Sequence, residues 1–382
     1  MKSLLWRWAC AFSALGAAVC ANAASPVPGV TASTIVIGQS APLSGSNREL
    51  GEDIRDGALA YFKKVNDQGG IFGRKIELAT LDDANDTKRA GANTQKLIEE
   101  LQVFALYGYA SATLSGPALP LVAKFKVPFI GPFTGAAPMR KFNKYVYNIR
   151  ASYADELEKI VDHYSLFGIK RFAIVHYDDP IGNANFDIVA RALKQRGLAP
   201  VSVAAFKDRV HPDIAGGVSA VLKGNPDVVI FTTLYKTTAD FIRAARRAGS
   251  TAQMISNSFP GASPLATELG KDGVGVAISQ VVPPVTKDSV PVVAEYQEAA
   301  DKLLGKKDYS FTSLEAYIGA KVMVEAIRRA GARITRESFM QALDSMSNYD
   351  AGGYFVGFSP TNHNGSSFVE LTIIGKDGTF KY

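Results

Sequence analysis

The sequence predicts an α/β protein made of two similar doubly wound α/β lobes joined by a three-segment hinge. Three observations carry this. Short apolar strands alternate with helical patterns from residue 34 to residue 282, as in parallel sheets covered by helices. The alternation runs twice, restarting near Arg150. The last third is helical with no strands between its helices, so it packs on a sheet already made, and the chain crosses between lobes more than once.

The fold begins after a leader. At 382 residues the chain can form two domains with full cores. Lys2 and Arg7, the apolar stretch Trp8 to Val19 and the A-x-A signal Ala21-Asn22-Ala23 read as a secretory signal peptide over residues 1–23. Cys20 raises a lipoprotein anchor as the rival, but Val19 is bulky where such sites take a small residue. Both cysteines and both tryptophans lie in this leader, so the exported chain has neither a disulfide nor an indole. Without Lys2 and Arg7 the formal charge falls from +6 to +4 and is spread out, which leaves no nucleic-acid footprint. No later segment offers the roughly 18 consecutive apolar residues that a membrane span needs.

In the first lobe, Thr34 to Ser40 alternates as a strand, and Ile54, Ala58, Tyr61, Phe62 and Val65 recur as one helix face. Lys75 to Leu81 is the second strand and Thr87 to Glu100 the second helix. Val103 to Tyr107 is a buried strand that breaks at Gly108 and restarts as a helix near Leu114. Val127 to Gly131 is a further strand, ending in Pro132 to Pro138. In the second lobe, a helix face (Leu157, Ile160, Val161, Tyr164) precedes strands at Arg171 to His176, Val201 to Phe206, Val228 to Phe231 and Met254 to Ser256. Helices at Asn183 to Arg196, Asp213 to Leu222 and Thr237 to Ala248 separate them. Gly275 to Val282 is a strand, after which Val290 to Leu304, Phe311 to Ala330 and Arg336 to Asp344 are helical. Tyr354 to Phe358 and Phe368 to Ile374 are strand-like. These elements predict lobe 1 from 31–148 plus 284–352 and lobe 2 from 151–281 plus 357–382, with crossings at 148–151, 281–284 and 352–357. Parallel linkers of this kind make a hinged clamp.

Ser111 and Thr113 lie in a small-residue loop at the carboxyl end of a strand, beside the free N–H groups of a starting helix. That arrangement suits a small carboxylate. Arg140 and Arg150 are candidates to pair it, or are hinge ion-pair partners. Tyr109, Tyr153 and Tyr235 stand at strand ends or lobe junctions, and the loop before Tyr235 faces the expected cleft. Asp82-Asp83-Ala84-Asn85-Asp86 has the spacing of a cation site, but acidic residues there also cap the helix starting at Thr87. His163, His176, His211 and His363 have no metal-ligand spacing, and no nucleotide or hydrolase motif is present. No metal or cofactor is therefore expected. A serine nucleophile at Ser111 keeps an exported hydrolase acting on a small carboxylate as the alternative reading.

Five runs make the chain resemble the type I periplasmic solute-binding proteins of ABC importers, specifically the branched-chain amino acid (Leu/Ile/Val) group. They are IVIGQSAPLSG (Ile35 to Gly45), VNDQGGIFGRKIEL (Val65 to Leu78), LDDANDT (Leu81 to Thr87), YGYASATLSGPALP (Tyr107 to Pro120) and VPFIGPFTGA (Val127 to Ala136). The resemblance implies a monomeric periplasmic receptor that closes on a small carboxylated solute and delivers it to a membrane permease. It implies that the loops Ser111, Ala112, Thr113 and Thr134, Gly135, Ala136 hold the carboxylate. Asp179, Ile181, Tyr235 and Ser258 would close over the ligand from lobe 2. Amino-acid binders of this group carry an acidic residue where Ser258 stands, to pair the ligand ammonium. Either Asp179 substitutes, or the ligand has no α-amine.

Overall fold

The computed structural model describes residues 26–45, 47–305 and 309–382; the leader lies outside them. The first lobe opens with β1 (Thr34–Ala41), α1 (Arg48–Asp67), β2 (Lys75–Asp82), α2 (Thr87–Glu99), β3 (Ala105–Tyr107), α3 (Ser111–Ser115), α4 (Ala118–Phe125), β4 (Phe129–Ile130), α5 (Ala137–Arg140) and β5 (Val146–Tyr147). The second follows with α6 (Tyr153–Leu166), β6 (Phe172–Tyr177), α7 (Pro180–Lys194), β7 (Ser202–Phe206), α8 (Ile214–Lys223), β8 (Val228–Phe231), α9 (Tyr235–Arg247), β9 (Gln253–Ser256), α10 (Ala262–Leu269) and β10 (Ala277–Gln280). The chain ends with α11 (Pro291–Leu304), α12 (Phe311–Ala330), α13 (Arg336–Asp344), β11 (Tyr349–Asp350), β12 (Phe355–Val356), β13 (Glu370–Ile374) and β14 (Phe380–Lys381).

The first sheet runs β2-β1-β3-β4-β5, every neighbour parallel. In the second sheet, β7-β6-β8-β9-β10 repeats that order in parallel strands, and β13 and β14 extend it antiparallel. Each lobe is thus doubly wound with one topology. Its switch point lies where connections leave in opposite directions from the strand carboxyl ends, the place where ligands bind in such sheets.

The terminal helices join the first lobe. At Gly57 of α1 an added Cβ would stand 2.1 Å from the Ser313 carbonyl, so glycine lets α1 lie directly on α12. The α12 helix is buried on nearly all sides, as a helix apolar around its circumference must be. At the start of α13, Arg336 donates to the carbonyls of Val103 at 2.7 Å and Phe104 at 2.9 Å, tying that helix to the edge of β3.

The end of the chain differs from expectation. Only Phe355–Val356 of the run Tyr354 to Phe358 is a strand, and it pairs with β11 rather than entering the second sheet. The chain then runs beside the first connection: Asn148 N–H donates to the His363 carbonyl and Gly365 N–H to the Asn148 carbonyl, each at 2.8 Å. This backbone pairing needs no apolar alternation, so the sequence pattern carries no trace of it. The helix α10 and strand β5 are too short to show a period and were not expected.

Candidate functional site

Two glycines shape the floor of the cleft. Gly108 after β3 and Gly131 after β4 have φ of +61° and +60°, a left-handed turn that frees each strand end to become a loop. Ala110 pairs with Phe133, and Ser111 N–H donates to the Phe133 carbonyl at 3.2 Å, so the two loops run side by side. Ser111 Oγ accepts from Leu114 N–H at 3.3 Å, and Thr134 Oγ1 accepts from Ala136 N–H at 3.2 Å. The N–H groups of Ala112 and Thr113 fall in the first turn of α3, where no intrahelical carbonyl serves them.

Above these loops lies a cavity of about 580 Å³ between the lobes. Ser111, Ala112, Thr113, Thr134, Ala136, Ile181, Tyr235 and Ser258 line it. So do Leu50, Leu114, Phe133, Tyr153, Phe259 and Pro260, which make the walls largely apolar, and the cations Arg48, Arg150 and Arg209. Tyr109 is not among them: its ring is packed against Phe129 in the core, with its hydroxyl bonded by Thr94.

Two of the expected residues stand elsewhere. Gly135 opens onto a separate cavity, together with Ala137, Arg140 and Ser152. Its carbonyl accepts from Tyr153 N–H at 2.8 Å, and an added Cβ would lie 2.5 Å from the Tyr153 ring, so its part is to seat Tyr153 closely. Asp179 caps α7 through Oδ1, which accepts from the N–H groups of Ile181 and Gly182 at 3.0 Å. Its Oδ2 accepts from Arg209 Nη2 at 2.6 Å, and the Arg209 guanidinium lies 4.5 Å from the Tyr177 ring centre. Burial works to raise the Asp179 pKa, but the Gly182 N–H and Arg209 bonds outweigh it and hold the carboxyl below its ordinary range. Asp179 is consumed by a cap and an ion pair, and Arg209 presents the charge that faces the cleft.

The Ser258 end is organised by Arg150, which is 3% exposed yet lines the cavity. Its Nη2 donates to Ser258 Oγ and to Glu156 Oε1, the latter at 3.2 Å, while Nη1 lies 3.6 Å from Glu315 Oε2. The guanidinium sits 5.4 Å from the Phe133 ring centre and 5.8 Å from that of Tyr153. Glu156 lies behind Ser258: it accepts from Ser258 N–H at 2.7 Å, Ser258 Oγ at 2.9 Å and Ser279 Oγ at 2.6 Å. Burial opposes the charge on Arg150, but Glu315 and Glu156 more than restore it and push its pKa up.

Arg140 reaches no solute wall. It donates to the carbonyls of Thr134, Arg150 and Ala151 at 3.1, 2.9 and 2.8 Å, pinning the hinge. Glu156 and Arg209 went unrecognised in the sequence. Glu156 was legible: it precedes Leu157 on the face that Ile160 continues, and a carboxylate on a buried helix face needs a partner. Arg209 sits in an irregular loop with no pattern to mark it. The Asp82 cluster is structural: Asp82 accepts from the Leu43 and Ala84 N–H groups, Asp83 from Ser40 Oγ, and Asp86 caps α2.

Two lobes of one topology around a cleft with mostly apolar walls define a hinged binding protein. The chain belongs to the periplasmic binding protein family, which it matches over residues 34–379. Within that family it is of type I and of the branched-chain amino acid group. It is 24% identical over 351 residues to Leu/Ile/Val-binding protein homolog 7 of Brucella abortus, covering 86% of each chain. A possible leucine/isoleucine/valine-binding protein of Rhodopirellula baltica superposes with a TM-score of 0.84 at 30% identity, covering 94% of this chain and 97% of the other. A substrate-binding periplasmic protein of Ralstonia solanacearum does so with a TM-score of 0.82 at 30% identity, covering 91% and 99%.

Proposed function

We propose that this protein is the solute receptor of an ABC importer, exported by its leader into the periplasm, and that it delivers an amine-free carboxylic acid to a membrane permease. The carboxylate rests on Ser111 to Thr113 and on Thr134 and Ala136, and the apolar body fills the cleft beneath Ile181, Tyr235 and Phe259. It acts without chemistry, as a monomer and without a cofactor.

The observation that carries the reading is the Arg150 guanidinium bonded to Ser258, at the position where the resemblance to amino-acid receptors implies an acid. A ligand ammonium arriving there meets a cation first. Two like charges 4 Å apart at an effective dielectric near 20 repel by about 4 kcal/mol. Glu156 offsets part of this from behind, but it is bonded to Ser258 and Ser279 and does not line the cavity. At the Ser258 end the ammonium would lose its hydration without gaining a carboxylate, since Glu49, the acid that lines the cavity, stands on α1 beside Arg48, at a cost of several kcal/mol.

The test is a thermal-shift comparison of leucine with 4-methylpentanoate, the same skeleton without its amine, and with benzoate. Ligand at about 100 times its Kd adds roughly 2.7 kcal/mol of stability, a shift easily read. The amine-free acids are expected to raise the transition and leucine to leave it near the apo value. A larger shift with leucine would overturn the assignment, and turnover of any acid would overturn the receptor role.

A further inference from the structure

Glu315 has no part in the carboxylate site, yet the fold places it one layer behind the cleft. It stands on α12, its side chain 8% exposed, and its only ion-pair partner among the described residues is Arg150 at 3.6 Å. A chamber of about 10 Å³ lies against it, walled in part by Tyr107, Phe133, Arg150 and Gly319. That is roughly the room of one water. Phe133 and Arg150 also line the solute cavity, so these two side chains are the partition between chamber and solute.

Arg150 therefore serves two buried carboxylates, and unequally. Glu156 takes the closer contact and three further donors, from Ser258 N–H, Ser258 Oγ and Ser279 Oγ. Glu315 has only the longer pairing. The other groups acting on it are Arg140 from α5, Tyr107 from β3 and Tyr354 from the segment after β11. Burial pushes both tyrosine hydroxyls well up, so neither carries charge near neutral pH.

We propose that the negative charge of the bound acid acts on Glu315 across the Phe133 and Arg150 partition, so that binding the acid loads Glu315 with a proton from solvent. The inference rests on the anion-receptor reading and adds the regulation of that site by pH. In the free protein, burial pushes the Glu315 pKa up to about 7 against the pull of Arg150, with Glu156 adding to the rise. An anion in the cleft adds negative potential across the partition and raises it further. The proton adds to a Glu315 oxygen and cancels the charge that the solute brings in. Binding then takes up protons, and affinity for the acid rises as the pH falls through neutrality.

Calorimetric titration with 4-methylpentanoate and with benzoate at pH 7, each in phosphate and in Tris, measures the linked protons from the difference in heat. The expected result is an uptake of roughly 0.3–0.5 proton per bound acid, because a group with its pKa near the working pH is about half ionised. Glu315→Gln is expected to bind acid with no uptake. Binding to the wild-type chain with the same heat in both buffers would overturn the inference and leave the receptor reading standing. An uptake that persists in E315Q would place the proton elsewhere and overturn it as well. If E315Q does not fold, the two-buffer measurement on the wild-type chain decides. Binding of leucine with neither acid bound would overturn the receptor reading itself, and the inference with it.

Discussion

Arg150 and Ser258 lie 108 positions apart, and the guanidinium of one donates to the hydroxyl of the other at the hinge end of the cleft. The contact joins the first connection between the lobes to the wall of the second. It also makes Arg150 the most buried of the cations that line the cavity.

Removing that cation strands two carboxylates. Arg150→Met leaves Glu156 and Glu315 buried without their shared partner, and breaking a buried pair in this way costs about 3–5 kcal/mol. Urea unfolding is expected to show that loss. The triple variant R150M/E156Q/E315Q is expected to recover most of it, since the stranded charges go with the arginine. A triple variant as unstable as R150M would mean that packing, not charge, sets the cost.

Ser258→Ala removes one hydroxyl that both donates to Glu156 and accepts from Arg150. A loss of about 1–3 kcal/mol in stability is expected, since buried charged groups lose a partner. The order of affinities between amine-free acids and leucine is expected to stay as it is. A selective loss of leucine binding, read by calorimetry, would put an ammonium at Ser258.

Thr134→Val tests the carboxylate end. The hydroxyl organises its loop by accepting from Ala136 N–H. Its loss is expected to weaken all carboxylates alike by about 0.5–1.5 kcal/mol, roughly twofold to twelvefold in Kd. If one acid weakens and another does not, the two do not share that loop.

The pH dependence of stability has a definite sign. Folding raises the Glu315 pKa from its ordinary 4.5 to about 7, so the native state binds the proton more tightly than the unfolded chain. Its stabilising contribution is complete below about pH 4.5 and is lost as the pH rises through 7. Denaturant melts between pH 5 and 8 are expected to show the wild-type chain losing stability relative to E315Q. Asp179 is shifted the other way, below its ordinary 3.8, and acts only in the acid range outside this window.

Much of the fold was legible because burial imposes a period. The β1 strand reads as alternation, and α1 shows its buried face in Ile54, Ala58, Tyr61, Phe62 and Val65. The two loops on the cleft floor were legible too, since Gly108 and Gly131 end strands visibly and leave small residues at the switch point. The pairing of the segment near Gly365 with Asn148 was not, because main-chain hydrogen bonds leave no side-chain pattern.

The sequence by itself determined the class of this protein, its two lobes and two of the loops that line the cleft, all of which depend on contacts between near neighbours or on periodic burial. Tertiary structure alone decided the other end of the cleft. Asp179 was one plausible acid until Arg209, 30 positions away, claimed it. Arg150, Glu156, Ser258 and Glu315 become one charge cluster only when the hinge folds. Electrostatic partnership depends on distance and burial in three dimensions, and the order of residues along a chain encodes neither directly.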